Sequence, residues 1–263
     1  MAPARWLAPV APARYLVPVA PARWGSRRAM KALLVGNGRV PPRTSVPADV
    51  FAGVALVIAA DGGAAACEAL GLRPDLLVGD LDSAEPALVE RLEQGGLEVR
   101  RVPAEKDESD LELALEAAIE RGADRVVALG ALGGPRIEHA LSAVGLLLIA
   151  RRRGVEMALV DDRSTLRLLG PGGPDVAVSR LDLAGETGDF VSLFPWGGDA
   201  LGVVTEGLRY PLRDETLPMG PSRGLSNEML GPAASVRCRS GRLLVIHTRR
   251  SAVQPVARDT REE

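Results

Sequence analysis

The stretch VALVIAADGGAAACEALGLRPDLLVGDLDSAEP, Val54 to Pro86, decides how the chain is read. Two apolar runs, Val54 to Ala59 and Leu76 to Val78, flank a helical pattern from Gly63 to Leu70. Each run breaks off near an aspartate, Asp61 after the first and Asp80 after the second. Strand, helix and strand in that order form a βαβ unit with parallel strands. The pattern repeats on both sides. Further apolar runs lie at Ala32 to Val35, Leu97 to Val102, Arg125 to Leu129 and Val155 to Val160. Helical patterns at Pro86 to Gln94, Asp110 to Arg121 and Ile137 to Arg152 separate them, with Leu111, Leu115 and Ala118 on one apolar stripe. An α/β domain with a mostly parallel, doubly wound sheet is expected over residues 30–169.

GPGGP, residues 170–174, reads as a linker, after which helical periodicity stops. Short β-rich runs follow at Asp189 to Leu193, Leu201 to Val204, Ser235 to Arg239 and Leu243 to Thr248. They predict a smaller all-β domain over 170–248 and a polar, fraying tail over 249–263. The first 29 residues differ in kind, repeating a nine-residue unit with Trp6, Tyr15 and Trp24 at matching positions. Prolines recur through it, so it forms neither the h-region of a signal peptide nor a spanning helix. Met30 is read as the functional start and the leader as a disordered extension.

The chain has 263 residues, 46% hydrophobic and 25% charged, enough for a sizeable core. Two cysteines without a CxxC or Cys/His cluster suggest neither a disulfide framework nor a zinc site, and a reducing cytoplasmic setting fits. Without the five leader arginines, 27 basic residues face 34 acidic ones, a formal charge of −7. That balance argues against a nucleic-acid surface, and no segment reads as a membrane span.

Ligands of doubly wound sheets bind beyond the carboxyl ends of the strands, so the residues after each apolar run are the candidates. GNGRVP after the first run is a weak dinucleotide fingerprint, because Pro41 stands where a third glycine belongs. No GxxxxGK[ST] occurs, which excludes a P-loop. Asp80 and Asp82, two residues apart, share a face if the segment is extended and suit Mg²⁺ beside substrate phosphates. Asp82 or Ser83 capping the helix that begins near Pro86 explains them equally well, and both readings stay open on that stretch alone. In EKDESDLELAL, Ser109 and Glu112 form a capping box and Asp110 complements the helix dipole. Asp107 has no such local duty and is a third candidate metal ligand, and Lys106 suits a phosphate. GGPRIEHAL adds two glycines, the planar guanidinium of Arg136, and His139. His247 reads as a strand histidine.

Taken together, ADGG, GDLDS, KDESDLELAL and GGPRIEHAL resemble the thiamine pyrophosphokinase family, and GDFVSLFPWGG, GVVTEGLRYPL and GLSNE resemble its β-domain. The resemblance spans about residues 31–247. It implies an α/β catalytic domain followed by a β-sandwich, a homodimer, and transfer of a pyrophosphoryl group from ATP to thiamine with AMP leaving. It implies Mg²⁺ on Asp80, Asp82 and Asp107, with Asp110 in the same acidic loop. Asp61, Gly62, Lys106, Arg136 and His139 would line the ATP cleft, and Ser226 and Asn227 match a pair associated with the thiamine pocket. The family usually has Asp where Glu138 stands and an asparagine where Ala143 falls, which weakens the fifth motif.

Three other readings compete. A related pyrophosphokinase acting on another hydroxymethyl heterocycle, such as a pterin, would share the catalytic half. A metal-dependent nucleotide-sugar glycosyltransferase would use DLD but leave the acidic loop without a role. A ligand-binding protein derived from such a kinase is motivated by Glu138 and Ala143. From the repeats, removal of residues 1–29 is expected to leave melting temperature and activity unchanged; a loss of either, read by thermal melting and turnover, makes the leader part of the fold.

Overall fold

The computed structural model describes residues 29–170 and 179–250. The repeat leader except its last residue, most of the GPGGP linker and residues 251–263 of the tail lie outside the described residues. The chain begins β1 (Lys31–Val35), a short α1 (Ala48–Phe51), β2 (Val54–Ala60), α2 (Gly63–Ala69), β3 (Leu76–Gly79) and α3 (Pro86–Gln94). β4 (Glu98–Arg101), α4 (Asp110–Glu120), β5 (Arg125–Leu129), α5 (Ile137–Arg152) and β6 (Glu156–Val160) complete the alternation expected from the apolar runs. β7 (Ser164–Leu169) and β8 (Ser179–Ala184) come next, then β9 (Phe190–Pro195), β10 (Ala200–Glu206), β11 (Arg213–Leu217), β12 (Asn227–Glu228), β13 (Ala233–Cys238) and β14 (Leu243–Thr248).

One ten-stranded sheet has the order β12-β9-β14-β7-β6-β5-β1-β2-β3-β4. β1 to β6 run parallel to one another, and β1 lies between β2 and β5, so the winding reverses at its carboxyl end. Both faces are covered. Leu34, Ile58 and Leu76 pack under α4 and α5, among them Leu115, Leu146 and Leu147. Leu33, Val35, Ala59 and Leu77 pack on the other face with Cys67 of α2 and Leu88 of α3. Alternation of side chains along each strand explains why both sets are apolar and why these strands read as continuous hydrophobic runs.

The second half does not start a separate sheet. β7 turns back antiparallel to β6, and β14 and β9 continue the same sheet, with Leu169 opposite Leu243 and Val245 opposite Leu193. The second, four-stranded sheet has the order β11-β10-β13-β8. It packs on this antiparallel wing around Leu193, Leu217, Met229, Val236 and Val245, which makes the β-sandwich. Arg249 and Arg250, placed by sequence in a fraying tail, are tied down. The Arg249 guanidinium donates to the carbonyls of Ser45, Asp161 and Asp162, and the Arg250 N–H donates to Asp189 at 2.8 Å.

α2 lies so close to β1 that a Cβ on Gly63 would collide with the Val35 carbonyl. Ala ordinarily favours a helix over Gly by about 1 kcal/mol. Here Gly63→Ala is expected to destabilise the protein, by about 1–3 kcal/mol as for other overpacked sites. A lower urea midpoint checks this; an unchanged or higher one contradicts the close packing.

Candidate active site

Three carboxylates meet beyond the carboxyl ends of β2 and β3. Ligand atoms of Asp61, Asp80 and Asp110 lie within 4.8 Å of one another. Asp61 follows β2 with φ +49°, its N–H bonded to the Val78 carbonyl at 2.9 Å and its own carbonyl accepting from Ala64 at 3.2 Å. This left-handed turn is an uncommon conformation for a residue with a side chain, and Asp61 is buried in it, 4% exposed. Gly79 makes the approach possible. A Cβ there would stand 3.1 Å from Asp61 Cβ and 3.3 Å from Asp110 Oδ1. Asp110 is the first residue of α4, whose N-cap Ser109 Oγ accepts from the Glu112 N–H at 3.2 Å.

Lys106 is the counter-charge. Its Nζ lies 3.2 Å from Asp80 Oδ2 and 3.1 Å from Asp110 Oδ1. Lys106 holds the Asp80 carboxyl below its ordinary range. Desolvation lowers the Lys106 pKa, but Asp110 and Asp80 outweigh it and the net shift is upward. Asp61 shifts the other way: burial pushes its carboxyl up, Asp110 and Asp82 add to this, and the Gly62 N–H and Ser83 hydroxyl offset part of it. Asp61 Oδ1 is buried with no hydrogen-bond partner among the described residues. An orphaned buried oxygen within a set of hard carboxylate donors fits a small divalent cation such as Mg²⁺.

Asp82 and Asp107 stand outside this group. Leu81 has φ +64°, so the DLD segment is not extended and the two-residue spacing does not put Asp80 and Asp82 on one face. Asp82 is exposed; its N–H reaches back to Asp80 Oδ1 at 3.4 Å, and its Oδ1 accepts from the Ser83 hydroxyl at 2.9 Å. Neither Asp82 nor Ser83 caps α3. The N-cap is Glu85, without a side-chain cap bond, and Pro86 starts the helix with its pre-set φ. Asp107 is exposed in the loop before α4.

The GNG loop, a weak signal in the sequence, sits at the switch point. Gly36 N donates to Leu129 O at 2.8 Å and Gly38 N to Gly130 O at 2.9 Å, joining the ends of β1 and β5. A Cβ on Gly38 or Gly130 would strike the other loop's backbone. Asn37 then lies against Gly62, next to Asp61, and Arg39 forms a two-pronged pair with Asp162 at 2.6 and 3.2 Å. Sequence reasoning passed over Asn37 and Arg39; their place after the first strand of a doubly wound sheet is the signal that finds them. Arg136 and His139 are exposed at the start of α5, Arg136 pairing with Glu138 at 2.6 Å. Ala143 is packed in the core.

Ser226 and Asn227 lie at the far edge of the sheet. Ser226 is exposed with φ +55°, its N–H donating to Ser192 Oγ at 3.0 Å. Asn227 is buried and acts as a clamp, accepting from Tyr210 N at 2.9 Å and donating to Tyr210 O at 2.7 Å. β12 is separated from β2 by β9, β14, β7, β6, β5 and β1. At ~4.8 Å per strand, the pair and the acidic group of one chain are on the order of 30 Å apart. His247 is a half-buried strand residue, its Nε2 2.9 Å from Asp189 Oδ2.

Comparison with known proteins matches both halves of the chain. The description "Thiamin pyrophosphokinase, catalytic domain" matches residues 48–159, and "Thiamin pyrophosphokinase, vitamin B1 binding domain" matches residues 179–243. The thiamine pyrophosphokinase of Bacillus subtilis is 27% identical over 193 residues, 73% of this chain and 87% of that protein. A crystal structure of thiamine pyrophosphokinase from Bacillus subtilis superposes with a TM-score of 0.72 at 24% identity, covering 83% of this chain and 99% of the other. That of thiamin pyrophosphokinase from Geobacillus thermodenitrificans gives 0.69 at 27% identity, covering 83% and 97%. With its catalytic and vitamin-binding halves both matched, in that order and on either side of the β7–β8 connection, the chain belongs to the thiamine pyrophosphokinase family.

Proposed function

We propose that the protein is a thiamine diphosphokinase. The thiamine hydroxyl oxygen attacks the β-phosphorus of ATP, the bond from that phosphorus to the oxygen bridging to the α-phosphorus breaks, and AMP leaves with thiamine diphosphate formed. The observation that supports this reading most is the convergence of Asp61, Asp80 and Asp110 at the carboxyl end of a doubly wound sheet, in a chain of this family. The three carboxylates would hold Mg²⁺, which when bound offsets charge on the ATP phosphates. Lys106, already over Asp80 and Asp110, is placed to meet a phosphate oxygen. Gly36 and Gly38 let the loops after β1 and β5 pack together and Gly62 admits Asn37 beside Asp61, which shapes the backbone that would face the nucleotide, with Arg136 and His139 at the rim. Asp82 and Asp107 are the exposed carboxylates nearest in sequence to this group, from which the acceptor of the hydroxyl proton is drawn.

In this reading residues 30–169 carry the nucleotide chemistry and 170–248 the thiamine pocket and dimer contacts. A separation on the order of 30 Å within one chain supports a homodimer in which Ser226 and Asn227 of one copy face the acidic group of the other. Ile137 and Leu141 at the start of α5, 71% and 61% exposed, and Tyr210 and Leu230 of the β half, 58% and 62% exposed, supply apolar surface for that contact. No helix among the described residues is long and apolar enough to cross a membrane. The acidic balance of residues 30–263 supports an enzyme without a nucleic-acid partner, and two buried free cysteines, Cys67 and Cys238, support a reducing, cytoplasmic setting.

Incubation with thiamine, ATP and Mg²⁺ should yield AMP and thiamine diphosphate in equal amounts; no AMP at high enzyme concentration, or AMP only when a hydroxymethylpterin replaces thiamine, overturns the assignment. Asp61→Asn, Asp80→Asn and Asp82→Asn should each lower turnover at least about a hundredfold, the scale of losing a charge-stabilising group, with melting preserved. Near-normal turnover in Asp82→Asn would leave that residue outside the chemistry. Leu141→Glu should sediment as a monomer, melt normally and lose most activity. A dimeric, active Leu141→Glu protein would move the interface elsewhere.

A further inference from the structure

The face of the large sheet that carries Leu33, Val35 and Ala59 is covered by two different layers. α1, α2 and α3 cover one part and the four-stranded sheet covers the antiparallel wing, and between α1 and β8 lies a cavity of about 880 Å³. Its floor includes Val127, Ala158 and Val160. It reaches the amino-terminal ends of β1, β5 and β6 at Lys31, Arg125 and Glu156, whereas the acidic group lies beyond the carboxyl ends of β2 and β3.

Arg167 is the anomaly in this seam. It sits on β7, well inside the ten-stranded sheet, with Ala158 opposite on β6 and Val245 opposite on β14. Among the described residues its guanidinium has no hydrogen bond or ion pair. Burial lowers its pKa, partly opposed by the charges of Asp49 and Glu156. Its side chain is half-buried and lines the cavity, so it loses part of its hydration with no directly bonded carboxylate to offset the loss, and an apolar residue of similar volume is tolerated there. The other cations do not share this state: Arg125 pairs with Glu156 at 3.3 Å, and Arg151 donates to the Gly170 carbonyl at 2.7 and 2.9 Å. Lys31 and Arg249 also bond carbonyl oxygens, so their positive charge meets no carboxylate directly.

We propose that this seam is a second binding site, separate from the acidic group, for a small organic anion whose phosphate or carboxylate head pairs with Arg167 and whose apolar body rests on Val127, Ala158 and Val160. Ala158 is the small residue that leaves room beside the guanidinium.

Phenyl phosphate and benzoate present the two head groups on an apolar body. With EDTA present, so that the acidic group holds no metal, at least one should raise the wild-type melting temperature saturably, by about 5 °C at a hundredfold excess over its dissociation constant. A response to the first alone assigns a phosphate monoester, and to the second alone a carboxylate. Arg167→Met should abolish the response while melting no lower than wild type without ligand. Ala158→Leu fills the floor, keeps the guanidinium and should abolish the response too, which serves if Arg167→Met does not fold. No response from wild type, or a response retained in either folded variant, overturns the proposal and leaves the seam to a second copy or to the chain's own tail.

Discussion

Mutual repulsion among Asp61, Asp80 and Asp110 is the constraint around which the active end of the molecule is built. Three carboxylates whose oxygens lie within 4.8 Å repel one another, and a cation among them offsets that repulsion. Lys106 supplies that cation from the loop before α4, and the backbone supplies the rest. The left-handed turn at Asp61 costs on the order of 1 kcal/mol and is held by the strand hydrogen bond to Val78 and the start of α2. Gly79 removes the side chain that would keep Asp61 and Asp110 apart. Strain and like charge gathered at one sheet end, with an unpaired oxygen at the centre, describe a site stabilised by what binds there.

The ten-stranded sheet fixes the distance between the acidic group and its own far edge. Its parallel half carries the acidic group, and its antiparallel wing joins the small sheet in the sandwich and carries Ser226 and Asn227 to the far edge. Asn227 spends its amide on the Tyr210 backbone, so its contribution at that edge is to hold the 209–211 loop in place. Ser226 beside it stays exposed in a left-handed conformation. The same sheet creates the seam at Arg167, because two unrelated layers cover one face and do not meet.

Most of the parallel half was legible because its strands are buried on both faces and read as unbroken apolar runs. Bounds for α3 and α5 coincide with the helical patterns, since Pro86 and the long apolar series after Ile137 mark them plainly. β7 and β8 were missed, because Arg167, Arg180 and Asp182 interrupt their apolar positions and β8 follows the linker directly. The acidic residues were found, but not their grouping. Spacing alone pairs Asp80 with Asp82, whereas the positive φ at Leu81 separates them, and the turn at Asp61 and the first position of α4 bring in partners from elsewhere. Such turns depend on close backbone packing that one-dimensional spacing does not encode.

Metal binding in the absence of nucleotide tests the three-carboxylate site most directly. Mn²⁺ titrated into the protein and followed by electron paramagnetic resonance should show one bound ion per chain, and Asp61→Asn, folded to the same melting temperature, should lose most of that affinity. Unchanged Mn²⁺ binding in Asp61→Asn would contradict a metal centre built on the buried carboxylate.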